Sequence, residues 1–188
     1  MSAVPTVGSG GSLPPTRAVP RRDFVWHLAR AASIGGPVLG LLDGTVDALP
    51  RSEETDFAVL YASLALEHEA IFVYERGLKR GIFPPGLRDY AVEFRGDHQG
   101  HRDTQVAIAR ERGGRPPSAL ARYDFDPTPG GAAFIRQALA IELAAQRAYS
   151  ALISSIGTRD YMLSAAFILV DEVRHITVWR QVLGIKIY

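Results

Sequence analysis

The strongest constraint on the fold is a helical periodicity that runs through four long segments from residue 52 onward. In each segment apolar residues recur three and four positions apart, which places them on one face of an α-helix. No stretch alternates apolar and polar residues between turns, as a half-buried strand would. The predicted helices cover about Glu53–Leu78, Pro85–Arg112, Pro129–Ile156 and Asp160–Leu183. The chain is therefore predicted to be all-α.

Residue types that favour helix ends stand at the ends of these segments. Side chains of Ser, Thr and Asp accept hydrogen bonds from free N–H groups, proline is tolerated in a first turn, and glycine ends helices. The expected starts are Ser52, Pro85, Thr128, and either Thr158 or Asp160. The expected stops are Gly113-Gly114, Gly157 and Gly184.

The lengths of the connections predict the topology. The first and last connections have about 7 and about 4 residues, which is typical of antiparallel neighbours. Residues 113–128 contain three prolines and no helical pattern. Fully extended, they reach about 50 Å, whereas a helix of about 26 residues is about 39 Å long. We therefore expect a four-helix bundle with one long crossover between helices two and three; the alternative for this stretch is a mobile linker or lid.

The first fifty residues differ from the rest in composition, since they hold 13 of the 30 glycines and prolines. Residues 1–20 lack hydrophobic periodicity and are expected to be disordered. Arg21-Arg22-Asp23-Phe24-Val25 resembles the twin-arginine export motif, and Val46-Asp47-Ala48 suits a signal-peptidase site before Leu49. We therefore predict a leader over residues 1–48 and the helical bundle over 49–188.

An export leader would place the protein in the periplasm or outside the cell. His27 and Arg30 stand where a leader would be apolar, so the alternative is a surface arm packed on a cytoplasmic protein. The apolar stretch at 31–42 is too short, and too broken by glycine and proline, to span a bilayer stably.

Charge and cysteine content exclude several classes of function. With 21 basic and 20 acidic side chains, the chain has no global basic field that would bind nucleic acid. It contains no cysteine, which excludes thiolate metal sites and thiol nucleophiles. His, Asp and Glu remain as metal ligands. A homo-oligomer is compatible with the sequence.

Each apolar stripe is interrupted near its middle by coordinating side chains. The first and third helices each carry one glutamate, Glu67 and Glu142, with a tyrosine seven residues later, Tyr74 and Tyr149. This shared pattern indicates an internal repeat.

The second and fourth helices each place two coordinating groups three positions apart, hence on one helical face. These pairs are His98 with His101, and Glu172 with His175. An ionised carboxylate buried without a partner costs several kcal/mol, so these groups need compensation, which two divalent metals would supply.

Several alternatives remain open for the single residues. The glutamates could pair with Arg95, Arg147 or Arg174, and a lone histidine could be a hydrogen-bonded core residue. Glu69 and Asp97 are second-choice ligands, and His68 is expected at the surface.

Taken together, these motifs resemble the ferritin-like superfamily. The matching stretches are LEHEAIFVY (66–74), IELAAQRAY (141–149) and DEVRH (171–175), and the resemblance covers about Asp56 to Gly184. The chain is similar to bacterial exported ferritin-like domain proteins that have no assigned reaction. In this superfamily helices one and three each give a glutamate, and helices two and four each give Glu-x-x-His, around two iron or manganese ions.

The second helix departs from that pattern, because FRGDHQGHRD (94–103) places His98 where the family has a bridging carboxylate. Two divalent ions would leave a net charge of about +1 on three glutamates and three neutral histidines, against about 0 in the usual set. A mononuclear or zinc-filled site becomes plausible. Asp97 could also rotate in to restore a carboxylate.

The resemblance implies a metal-dependent redox protein whose ions react with oxygen or peroxide. The implied ligands are Glu67, His98, His101, Glu142, Glu172 and His175. Tyr74 and Tyr149 are candidate catalytic residues that either hydrogen-bond a ligand or supply an electron; core packing is their alternative role. The competing function is a non-redox, exported binding or structural bundle with a mononuclear zinc or degenerate site.

Overall fold

The computed structural model describes residues 51–121, 123 and 131–187, and this part of the chain forms four α-helices without a β-strand. The helices are α1 (Glu53–Lys79), α2 (Arg88–Glu111), α3 (Gly131–Ile153) and α4 (Arg159–Val182). The predicted all-α bundle is confirmed. The predicted leader and its cleavage site lie outside the described residues.

The helices pack as two antiparallel hairpins, α1 with α2 and α3 with α4, and α1 also packs on α3 and α2 on α4. Asp56, at the start of α1, contacts Arg112, just after the end of α2. Gly77, near the end of α1, faces the ring of Phe134 at the start of α3. Since α2 and α3 therefore point the same way, their connection runs from one end of the bundle to the other.

The described part of that connection follows α1 along its length. The backbone N–H of Arg115 donates to the Tyr61 hydroxyl at 2.8 Å. Further along, the ring of Tyr123 packs on Phe72 with centroids 5.2 Å apart. The predicted long crossover is confirmed, and these contacts tie it to α1.

Two apolar clusters fill the interior, one towards each end of the bundle. Leu60, Leu152 and Ile168 belong to the cluster at the α1 N-terminal end. Phe134 and Trp179 belong to the cluster at the α1 C-terminal end. The buried polar residues of the four helices lie between these clusters, so the apolar cores shield them from water at both ends.

The observed helices differ from the predicted ones at the start of α2 and at the end of α3. Ser52 is the N-cap of α1 as predicted, with its hydroxyl accepting from the N–H of Thr55 at 3.1 Å. The prediction that Pro85 lies in the first turn of α2 is wrong, because Gly86 adopts a φ of 84° and interrupts the helical backbone before Arg88. The predicted start of α3 at Thr128 and Pro129 lies in the part that is not described.

A buried carboxylate explains why α3 ends at Ile153 rather than at Ile156. The carboxylate of Asp56 accepts from the backbone N–H of Gly157 at 2.7 Å and of Thr158 at 3.1 Å. The Thr158 hydroxyl also donates to Asp56. Thr158, one of the two predicted N-caps of α4, stands at the cap position, but its side chain binds Asp56 and does not cap the helix.

One helix of the described residues is long and apolar enough to cross a membrane by length and composition. It is α1, whose most apolar stretch has a mean hydropathy of 1.3. Of that stretch, 67% is buried inside the bundle, as in the core helix of a globular protein. The finding is thus weak evidence for a membrane span.

Replacing Asp56 with alanine is expected to lower the free energy of unfolding by about 2–4 kcal/mol, because it removes a buried charged acceptor that joins α1 to the α3–α4 turn. Urea unfolding followed by circular dichroism measures the change. Glu54→Ala, an exposed carboxylate in the same turn, serves as the control and is expected to change stability little. Equal effects of the two substitutions would contradict this role for Asp56.

Candidate metal centre

Three glutamates and three histidines meet in the polar layer between the two apolar clusters. They come from all four helices, and each is at most 8% exposed: Glu67 from α1, His98 and His101 from α2, Glu142 from α3, Glu172 and His175 from α4. The structure thus brings together all six residues that the sequence predicts as metal ligands.

Their ligand atoms form two overlapping groups, in each of which all atoms lie within 4.8 Å of one another. The first cluster consists of Glu67, His98, His101 and Glu172. The second cluster consists of His98, Glu142, Glu172 and His175. His98 and Glu172 belong to both clusters and therefore occupy the position between two candidate ion sites.

The imidazole of His98 presents one nitrogen to each cluster. Its Nδ1 lies 2.8 Å from Glu67 Oε2 and 3.6 Å from Glu172 Oε1. Its Nε2 lies 3.4 Å from Glu142 Oε1. His98, which stands where the resemblance predicts a carboxylate, thus lies between the two clusters.

Two aspartates hold the outer nitrogens of the other two histidines. His101 Nε2 lies 3.2 Å from Asp171 Oδ2, and His175 Nε2 lies 3.1 Å from Asp97 Oδ2. A carboxylate on the outer nitrogen fixes the ring and leaves Nδ1 facing inward as a ligand. Asp97 therefore orients His175 in this structure, rather than acting as a ligand itself. Arg174 also donates a hydrogen bond to Asp97.

Glu69, the other second-choice ligand, and His68 lie outside both clusters. Glu69 and His68 are half-buried on α1. His68 was expected at the surface, but its Nε2 lies 3.3 Å from the backbone oxygen of Pro117 in the crossover. Both residues therefore stand apart from the candidate ion sites.

The two tyrosines each donate a hydrogen bond to the glutamate of the other repeat. Tyr74 donates to Glu142, and Tyr149 donates to Glu67. Burial and the neighbouring carboxylate raise the pKa of each phenol well above its usual value, so each stays a donor. Both hydroxyls thus bind candidate ligands directly, as one of the predicted roles requires.

Two further residues hold these tyrosines and were missed by sequence reasoning. The Tyr149 hydroxyl accepts from Gln105 Nε2 at 2.6 Å, and the Tyr74 hydroxyl accepts from Trp179 Nε1 at 2.7 Å. Gln105 and Trp179 stand seven residues after His98 and Glu172 on the inward stripes of α2 and α4. This shared spacing, which matches the spacing of each tyrosine from its glutamate, is the sequence signal that could have identified Gln105 and Trp179.

The charges of the layer are only partly balanced by its own histidines. Burial opposes ionisation of Glu67, but the neighbouring imidazoles of His101 and His98 lower its pKa to about 2. Glu142 is also buried, yet the charges of His98 and His175 hold its pKa well below the usual value. Burial raises the pKa of Glu172 well above its ordinary range. Without a further cation, the layer thus disfavours ionisation of one of its three carboxylates.

Three buried atoms of the first cluster make no hydrogen bond. They are both carboxylate oxygens of Glu172 and Nδ1 of His101. Such atoms are rare in folded proteins, and each lacks the hydrogen bond that would offset its burial. Within the described ranges no arginine lies within 4.0 Å of a carboxylate oxygen of Glu67, Glu142 or Glu172, so the alternative of Glu–Arg pairing is not observed. A mixed set of imidazoles and carboxylates with unpaired atoms fits a divalent metal ion.

Comparison with known proteins agrees with this geometry. The family model for the ferritin-like domain matches residues 55–185, and the chain belongs to this family. A solved structure, that of the conserved hypothetical protein rv2844 from Mycobacterium tuberculosis, is 27% identical with a TM-score of 0.65. The match covers 70% of this chain and 99% of that one. No curated protein matches the chain.

Acidification of the metal-free protein is expected to destabilise it between about pH 4.5 and about pH 2. Unfolded Glu67 takes up a proton near its ordinary pKa of 4.5, whereas the folded carboxylate keeps a pKa of about 2. The unfolded state therefore binds more protons in this window, so the free energy of unfolding falls as the pH falls, by on the order of 3 kcal/mol.

Urea unfolding at a series of acidic pH values in the presence of a chelator measures this slope. The variant Glu67→Gln has no carboxylate to titrate at this position and is expected to show a shallower dependence on pH. A slope unchanged by the substitution would show that other groups cause the acid lability.

Proposed function

We propose that this protein is a metal-dependent redox protein whose buried Glu/His layer holds two iron or manganese ions. The observation that supports the proposal most directly is the carboxylate of Glu172, which is fully buried, belongs to both clusters and receives no hydrogen bond among the described residues. When bound, such ions would supply the electrons that reduce oxygen or peroxide.

The protein's own residues would bind, orient and shield those ions. Glu67, Glu142 and Glu172 supply negative charge and oxygen ligands, and the three histidines complete each cluster with nitrogen. Asp97 and Asp171 hold two imidazoles by their outer nitrogens. The apolar clusters at both ends exclude water, which strengthens each of these electrostatic interactions.

The tyrosines would fix the position of two ligands and retain their protons. Tyr74 and Tyr149 each donate to Oε1 of a glutamate. The other oxygen, Oε2, contacts an imidazole in this structure and would be the one that binds a metal. Trp179 lies behind Tyr74 with its ring stacked at a centroid distance of 6.4 Å. Tyr74 thus has an oxidisable indole behind it, whereas Tyr149 has the amide of Gln105, and so Tyr74 is the better placed of the two tyrosines to supply an electron.

A second candidate function is a non-redox bundle that binds one zinc ion or none. The observation that favours it is His98, which stands within 2.8 Å of Glu67 and 3.4 Å of Glu142. An imidazole in this place pairs with two carboxylates and thereby partly replaces a metal ion.

Metal analysis and oxidant addition separate the two functions. For protein loaded anaerobically with Fe(II) or Mn(II), the redox function predicts about two ions per chain at saturation. It further predicts an absorbance change when oxygen or peroxide is added. One zinc ion per chain, or no ion, together with no response to oxidants would favour the second function.

The variant Glu172→Ala is expected to lose at least one of the two ions and the response to oxidant, because it removes a residue shared by both clusters. Elemental analysis of the loaded protein measures the loss. Glu75→Ala, an exposed carboxylate on α1, is the control and is expected to retain both properties. Unchanged metal content in Glu172→Ala would remove this residue from the site.

We further propose that the protein is exported by the twin-arginine route, on the strength of the motif at residues 21–25. In a bacterial host with this pathway, the mature protein is expected outside the cytoplasm with Leu49 as its first residue. Replacing Arg21 and Arg22 together by lysine is expected to retain the chain in the cytoplasm, whereas Arg17→Lys is not. An intact N-terminus in the cytoplasmic fraction of the unaltered protein would favour the surface-arm alternative.

A further inference from the structure

We infer that His98 coordinates only one metal ion at a time, so that the two clusters bind their ions in order, the first cluster before the second. This inference depends on the metal binding proposed above and adds to it an order of loading and unequal affinities. It arises from the single feature in which the centre departs from the pattern of its family, an imidazole at the position shared by both clusters.

The chemistry of imidazole limits what a bridging histidine can do. A neutral ring has one nitrogen with a free lone pair and one nitrogen that carries a proton. When Nδ1 of His98 coordinates an ion in the first cluster, Nε2 must carry the proton. It then faces Glu142 Oε1, an acceptor that lies 3.4 Å away. The ring is thus placed to coordinate on one side and to donate a hydrogen bond on the other.

A carboxylate at the same position would not be limited in this way. It has two oxygens with lone pairs, so each can face a different ion. With His98 engaged in the first cluster, the second cluster retains only Glu142, His175 and the shared Glu172. The second ion therefore has fewer ligands than the first, and it shares the charge of Glu172 with the ion already bound.

The hydrogen bonds of the two clusters indicate which fills first. In the first cluster, His101 is held at Nε2 by Asp171, and its inward Nδ1 makes no hydrogen bond, with Glu67 Oε2 3.6 Å away. In the second cluster, the inward Nδ1 of His175 already lies 3.2 Å from Glu142 Oε2. An ion entering the second cluster must displace that contact and also the 3.4 Å contact of His98 Nε2 with Glu142 Oε1. An ion entering the first cluster must displace only the 2.8 Å contact of His98 Nδ1 with Glu67 Oε2, because Nδ1 of His101 makes no hydrogen bond.

Calorimetric titration of the metal-free protein with Zn(II) tests the order. The expected result is one tight binding event and a second that is weaker by at least about tenfold, the scale on which the loss of a supporting interaction weakens metal binding. His101→Ala and His175→Ala form a matched pair, since both rings face inward and are held by an aspartate of the opposite helix. We expect His101→Ala to lose the tight event and His175→Ala to keep it. Two equal events in the unaltered protein, or loss of the tight event in His175→Ala, would overturn the inference.

Substitution of His98 tests the lone-pair argument itself. His98→Glu restores an acceptor with two oxygens and is expected to bring the affinity for the second ion close to that for the first. His98→Gln introduces a side chain of the same length as glutamate but without its charge. The second ion is expected to remain weakly bound in this variant. A second event that is unaffected by His98→Glu would overturn the inference.

Nitrogen-15 NMR of the unaltered protein with one Zn(II) gives a readout that does not depend on any variant folding. The ring of His98 is expected to show a metal-bound Nδ1 and a protonated Nε2. The opposite assignment, or a ring free of metal, would refute the proposed order.

Failure of this inference differs from failure of the redox function. Zinc undergoes no redox chemistry, so the order of loading is measured without an oxidant. A protein that loads in order but does not respond to oxygen or peroxide retains the inference and loses the redox function. A protein that responds to oxidants but binds both ions equally retains the redox function and loses the inference.

Discussion

Three carboxylates buried in one layer of the bundle govern the arrangement of everything around them. Glu67, Glu142 and Glu172 come from three helices, and an ionised carboxylate in an apolar core is strongly destabilising unless cations or donors surround it. Three imidazoles and two phenols of the same layer surround these carboxylates. Aspartates orient two of the imidazoles from outside. Even so, Glu172 is left without a hydrogen bond among the described residues, and this remaining deficit makes the layer suited to a divalent cation.

The centre consists of two related halves that differ chemically. In each half a tyrosine binds the glutamate of the other half, and an aspartate binds the outer nitrogen of a histidine. The halves differ at two equivalent pairs of positions on α2 and α4: His98 corresponds to Glu172, and Gln105 corresponds to Trp179. The first difference limits how the two ion sites share a ligand. The second places an oxidisable ring behind one tyrosine and an amide behind the other.

Sequence reasoning was sufficient where one short stretch of chain carries the information. The apolar periodicity predicted the four helices, and the spacing of coordinating groups identified six side chains that the structure brings together. It was insufficient where the partner is distant along the chain. The end of α3 depends on Asp56, about a hundred residues earlier, and no local pattern reports that contact. Pro85 has the residue type of a helix start, but the left-handed backbone of Gly86 prevents it from joining α2.

By itself, the sequence determined which elements form and which faces they bury, because helical periodicity is a property of each segment alone. It also determined the chemical types available at the centre, since the absence of cysteine leaves oxygen and imidazole nitrogen as ligands. Only the tertiary structure decided how those groups are shared: that each tyrosine holds the glutamate of the other repeat, that Asp97 orients a histidine, and that His98 lies between two clusters. These outcomes depend on the angles and offsets at which four helices pack, which no single helix encodes.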